Sequence, residues 1–149
     1  MNRFLYTLLT GLLLSGPAFA QVVSECDWRA RAENIVEPWE DNTRVFANGD
    51  VRLAILDTIE PGAVPVNILV LSPPYDEMGG RQCRIISLGD GIGFSDATLE
   101  GMAAAYDPAI GLIFNIHVAL YDPEGSTAIP TSIRVTLNQA TGEIGASLQ

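Results

Sequence analysis

Ser95-Asp96-Ala97-Thr98-Leu99-Glu100-Gly101-Met102-Ala103-Ala104-Ala105-Tyr106-Asp107-Pro108, with Leu112–Tyr121 behind it, is the stretch on which the fold class turns. In the first half Leu99, Met102, Ala103 and Tyr106 fall at helical spacing, and Ser95 stands where an N-cap belongs. Asp107-Pro108 closes that helix. The second half alternates instead. Leu112, Phe114, Ile116, Val118 and Leu120 face one way, while Ile113, Asn115, His117, Ala119 and Tyr121 face the other, as on a strand.

Toward the C-terminus, Ser132–Leu137 alternates again, with Ile133, Val135 and Leu137 inward. Asn138–Gly142 then turns into a last strand carrying Ile144, Ala146 and Leu148. The run Val135-Thr136-Leu137-Asn138-Gln139-Ala140-Thr141-Gly142-Glu143-Ile144 resembles the closing hairpin of secreted PepSY-type domains. That resemblance transfers no functional residue. Toward the N-terminus, Gly89, Gly91 and Gly93 make a loop, and Arg81–Leu88 reads as a strand carrying Cys83. Val64–Leu71 is apolar on both faces except for Asn67, the pattern of a central covered strand, and Ser72-Pro73-Pro74-Tyr75-Asp76 stops it. Asn48-Gly49 predicts a two-residue type I′ hairpin with Phe46 opposite Val51, so that Phe46, Val51, Leu53 and Ile55 share a face. From Cys26 to Trp39, Trp28, Ala32, Ile35, Val36 and Trp39 form one stripe of an amphipathic helix that Pro38 ends. Together these predict a single α+β domain over residues 21–149. Its core is a mainly antiparallel sheet of about six to seven strands, with an N-terminal helix and one further short helix.

The first twenty residues read as a cleaved secretory signal peptide. Arg3 supplies the positive end, Leu8, Leu9, Leu12, Leu13 and Leu14 the apolar stretch, and Ala18-Phe19-Ala20 the cleavage site, with cleavage after Ala20. The destination is periplasmic or secreted, with no membrane span once the signal is removed. An oxidising compartment then favours a disulfide between Cys26 and Cys83, the only two cysteines. Closing a loop of about 58 residues is worth about 4 kcal/mol in the chain-entropy model.

The chain has 149 residues, a formal charge of −10, one histidine, and eight basic residues that are all arginine. Loss of Arg3 makes the balance one unit more negative. That acidity excludes a phosphate-driven nucleic-acid binder and disfavours an anionic membrane surface as partner. With no lysine there is no Schiff-base chemistry, and the spacing of the two cysteines excludes a Cys-x-x-Cys redox centre. One histidine makes no multi-histidine zinc site, so neither metal nor cofactor is expected. The strand–glycine loop–helix order around Gly89, Gly91 and Gly93 lacks the dinucleotide spacing, and Asp90 would repel a phosphate. His117 with Ser87 or Ser95, and Cys83 between Arg81 and Arg84, are the remaining catalytic arrangements, and no nucleophile-elbow motif supports either.

The inventory therefore points away from an enzyme and toward an exported domain that works by contact, as an envelope accessory with a protein partner. Its interaction loop lies in Ser72–Arg84, with Tyr75, Asp76, Glu77 and Arg81 as contact residues. The alternative is a small-molecule-binding domain using a pocket between sheet and helix, with Asn115, His117, Tyr121 and Arg134 as polar anchors. The oligomeric state is open at this level.

Overall fold

The computed structural model describes residues 21–149, so the predicted signal peptide lies outside the described residues. Nine strands run through them: β1 (Val22–Glu25), β2 (Thr43–Phe46), β3 (Val51–Asp57), β4 (Val66–Tyr75), β5 (Arg81–Ser87), β6 (Asp96–Asp107), β7 (Gly111–Asp122), β8 (Thr127–Leu137) and β9 (Ile144–Leu148). They form two antiparallel sheets, a five-stranded one ordered β1-β5-β4-β3-β2 and a four-stranded meander β6-β7-β8-β9. The inner faces meet in one core. Val51, Leu53 and Ile55 of β3, Ile68 and Val70 of β4, and Ile86 of β5 pack against Leu99, Phe114, Ile116, Ile133, Val135 and Leu137 of the other sheet. Phe46 packs against Phe114 across the gap, the rings tilted by 50° with centroids 4.7 Å apart. The architecture is an all-β sandwich.

Several expectations hold. Phe46 pairs with Val51 as expected, but the turn between them is a four-residue loop rather than the two-residue type I′ turn: Ala47, Asn48 and Gly49 all have positive φ (51°, 55° and 103°) and Asp50 is helical. β4, the apolar run, lies at the centre of its sheet. It runs on through Pro73 and Pro74 to Tyr75, beyond the stop expected at Ser72.

The α+β class is overturned, and both predicted helices are corrected. Among the described residues, helical structure is limited to short 3-10 turns and the single turn α1 (Trp39–Asn42). The segment Ser95–Tyr106 falls, from Asp96 on, in strand β6. Its helical spacing arises from two period-2 runs, Ala97/Leu99 and Met102/Ala104/Tyr106, thrown out of phase by a bulge. Between Thr98 and Ala103, five steps along β6 match two along β7, and Gly101 takes the positive φ of 68° that the bulge needs.

The segment Cys26–Trp39 is a strap laid over the outer face of the five-stranded sheet. It starts at Cys26, bonded to Cys83 of β5, and passes through 3-10 turns at Trp28–Ala30 and Ala32–Asn34. It reaches the opposite edge at Ile35, which bridges Leu56 of β3, while the Val36 N–H donates to the Ile55 carbonyl (3.0 Å). Beneath it Ala30 and Ile35 cover Ala54, Leu56, Leu69 and Ile85. A helix this short has little intrinsic stability. The covalent tie at one end and the backbone pairing at the other hold the strap extended instead. Trp28 and Trp39, expected on one apolar stripe of a helix, are both about half exposed.

Candidate functional site

The strap enters the fold beside two loops, residues 58–65 between β3 and β4 and residues 88–95 between β5 and β6. The loops are zipped together. The Gly93 N–H donates to the Val64 carbonyl (3.1 Å), and Val66 and Phe94 exchange both backbone bonds (3.0 and 2.7 Å). A Cβ on Gly93 would run into the carbonyl oxygens of Val64 and Val66, so only glycine allows this approach. Between the two loops and the strap lies a cleft of about 160 Å³, lined among others by Asp27, Trp28, Arg29, Glu60, Asn67 and Asp90.

Its floor is a connected polar network. Arg29 Nε and Nη2 donate to the Asp27 carboxylate (2.9–3.1 Å). Arg29 Nη1 donates to Ser87 Oγ (3.1 Å) and Nη2 to Ser24 Oγ (3.3 Å). Ser87 Oγ donates to Asn67 Oδ1 (2.8 Å), and Asn67 Nδ2 to the Pro65 carbonyl (3.0 Å). Asn67 and Ser87 are buried, and the Arg29 side chain is 14% exposed. Polar groups at that depth are tolerated because each has its partner. The Arg29 guanidinium, hydrogen-bonded to Asp27, holds that carboxyl below its ordinary value. Asp27 and Arg29 thus cancel in charge. Glu60 and Asp90 give the cleft a net negative charge, and half-exposed Trp28 lies at its wall.

The sequence-predicted residues fall elsewhere. Tyr75 and Arg81 flank the β4–β5 hairpin and are tied to the β2–β3 turn. The Tyr75 hydroxyl donates to Asp50 Oδ1 (2.6 Å), and Arg81 Nη1 donates to the Gly49 carbonyl (3.1 Å). Asp76 folds the hairpin onto itself, accepting from Met78 N–H and Gly80 N–H (2.9 and 2.7 Å). Glu77 and Met78 remain exposed at the tip. Asn115, His117, Tyr121 and Arg134 share the outer face of the four-stranded sheet. Asn115 lies directly opposite Arg134, and His117 stands opposite Ser132 and Thr98. On that face Asn115, His117 and Tyr121 are exposed and Arg134 is half-buried.

The disulfide forms as expected, with Cα atoms 5.4 Å apart, which fits an oxidising compartment. It leaves no free cysteine among the described residues. The Cys83 thiol arrangement is thereby removed, and Ser87 is committed to the Arg29 network. No group of three or more potential ligands is placed to hold a metal among the described residues. None of the described helices is long and apolar enough to cross a membrane.

Asp27, Trp28, Arg29, Glu60 and Asp90 were not anticipated as a group. The signal for them was Asn67, the one polar residue in an otherwise apolar central strand, which needs a buried partner. No known protein family, curated protein or solved structure matches the chain.

Proposed function

We propose that the protein is an exported, periplasmic binding domain that receives a cationic group, an ammonium or a guanidinium, in the cleft between strap and loops. The observation supporting this is the fixed Asp27–Arg29–Ser87–Asn67 floor, which consumes the cleft's one arginine, while Glu60, Asp90 and half-exposed Trp28 line the same cleft. Carboxylates attract a cation, and an indole face adds cation–π attraction. Size narrows the class. A cleft of about 160 Å³ is smaller than the ~300–1,000 Å³ of sites that enclose a whole drug-sized molecule. It suits the charged end of a larger ligand, such as an amine or a basic side chain. Calorimetric titration with spermidine and guanidinium, against acetate and phosphate, tests this. The cations should bind saturably and the anions not at all. Combining Glu60→Gln with Asp90→Asn should weaken the cations by roughly tenfold or more while the fold is kept. Preferential binding of anions, or full affinity in the double variant, would refute the assignment.

A second reading, a protein-contact role for the hairpin with a partner in the cell envelope, is favoured by one observation. Met78 is 93% exposed at the tip of a hairpin braced by Tyr75 and Arg81, and a braced apolar tip loses little entropy on docking. A photo-crosslinker at Met78 should capture one envelope protein, and capture should fall when Asp50→Ala releases the brace. No capture, or capture indifferent to the brace, removes this reading.

A further inference from the structure

A second cleft, of about 300 Å³, lies at the far end of β6 from the first, between the β6–β7 turn and the β8–β9 loop. Tyr106, Pro108 and Gly111 form one wall, and Asn138, Gln139 and Ala140 the other. Hydrogen bonds fix both walls. In the turn, the Ile110 N–H donates to the Asp107 carbonyl (3.1 Å) and the Ala109 N–H to Asp107 Oδ1 (2.7 Å). In the loop, the Asn138 N–H donates to the Glu143 carbonyl (2.9 Å), and Asn138 Oδ1 accepts from the Ala140 and Thr141 N–H groups (3.0 and 3.2 Å). Gly111, at a φ of 111°, seats the turn against β8. A Cβ there would run into the Leu137 carbonyl oxygen, immediately before the loop.

We propose that this cleft binds an uncharged sugar ring. Although 17% of the chain is charged, no charged residue lines the cleft, and Asp107 in the adjoining turn is committed to the Ala109 N–H. The site therefore offers neither a carboxylate to a cation nor an arginine to an anion. Tyr106, 66% exposed, presents a planar apolar face with a polar tip, which suits the C–H face of a sugar ring. Asn138 and Gln139 bring two carboxamides. The bonds to Asn138 Oδ1 hold that group in place, while Asn138 Nδ2 and the whole Gln139 side chain have no hydrogen-bond partner among the described residues. A carboxamide carries donors and an acceptor side by side, and each sugar hydroxyl is both. Size agrees, because about 300 Å³ is the lower end of the range for small-molecule sites. A ring of about a dozen non-hydrogen atoms is expected to bind such a cleft with a dissociation constant on the order of 1 mM. The two clefts share no lining residue, so this assignment is independent of the cation-binding one.

Backbone amide NMR spectra of the isotope-labelled protein, produced from its full coding sequence, test this. The probes are glucose, galactose, N-acetylglucosamine and the β-linked disaccharide of the last, titrated to concentrations on the order of 50 mM. At least one should give saturable shifts concentrated in the β6–β7 turn and the β8–β9 loop. Tighter binding of the disaccharide than of its monomer assigns the ring to a glycan chain, and equal binding assigns it to a free sugar. Tyr106→Ala and Gln139→Ala should each weaken binding by roughly tenfold, whereas Tyr106→Phe, which keeps the ring face, should retain it. Spectra of the unliganded variants that overlay on wild type away from the cleft exclude misfolding. No saturable shift with any of the four sugars overturns the proposal. So does saturable binding elsewhere on the molecule, or unchanged affinity in Tyr106→Ala. Spermidine and acetate should leave these amides unmoved, and a response to either that equals the sugars' also overturns it.

Discussion

Tyr75 shows what one hydrogen bond can report. Its hydroxyl donates to the Asp50 carboxylate at 2.6 Å, and that bond, strengthened by the nearby negative charge, raises its pKa above the ordinary 10.0. Because the folded value is the higher one, the contact stabilises the fold below pH 10.0 and is lost as pH rises through the raised value. A spectrophotometric titration should find one tyrosine ionising above the ordinary range. Asp50→Asn should return it toward 10.0, and an unchanged curve would show that the pair does not persist in solution. At this scale the sequence was partly legible. Asn67 stood out against its apolar neighbours, and the Cys26–Cys83 bond followed from compartment and count. The network around Asn67 was not readable, because Ser87 lies 20 positions from Asn67 and Arg29 58 from Ser87, and no local pattern joins them.

The strap carries the prediction that belongs to elements. It covers Ala54, Leu56, Leu69 and Ile85 on the outer sheet face, and its N-terminal end is fixed by the disulfide. Replacing Cys26 and Cys83 together by serine should cost about 4 kcal/mol by loss of loop constraint. It should also expose Arg29 and Arg31 to trypsin before the sheets are cut. A thermal midpoint and digestion pattern equal to wild type would mean the Ile35–Leu56 bridge holds the strap unaided. Legibility at this scale followed local chemistry. The position of the Asn48-Gly49 turn, the alternation of β7 and the uniform burial of β4 were plain, because turn residues and period-2 patterning act within a few residues. β6 was misread because its bulge converts strand alternation into three-residue spacing. The strap was misread because its apolar residues look helical until the covering role imposed by the sheet beneath is known.

For the molecule as a whole, seven of the nine strands were visible in outline, while their division into two sheets was not. Strand order depends on which faces are left to bury, and that is decided only when both sheets exist. Missing β1 had the widest effect, since Val22–Glu25 closes one edge of the larger sheet by pairing with Arg84–Ser87. That pairing also dictates timing. Read from the N-terminus, β1 is the first of the described strands to be synthesised, yet among them it hydrogen-bonds only to β5. Cys26 likewise has no thiol to join until Cys83 arrives, 57 positions later. The leading end must therefore wait, unpaired and reduced, while most of the five-stranded sheet is delivered. The chain closes backward onto its own beginning, and the cysteine pair can form only once the last strand of the larger sheet has begun to arrive, ahead of the whole four-stranded sheet.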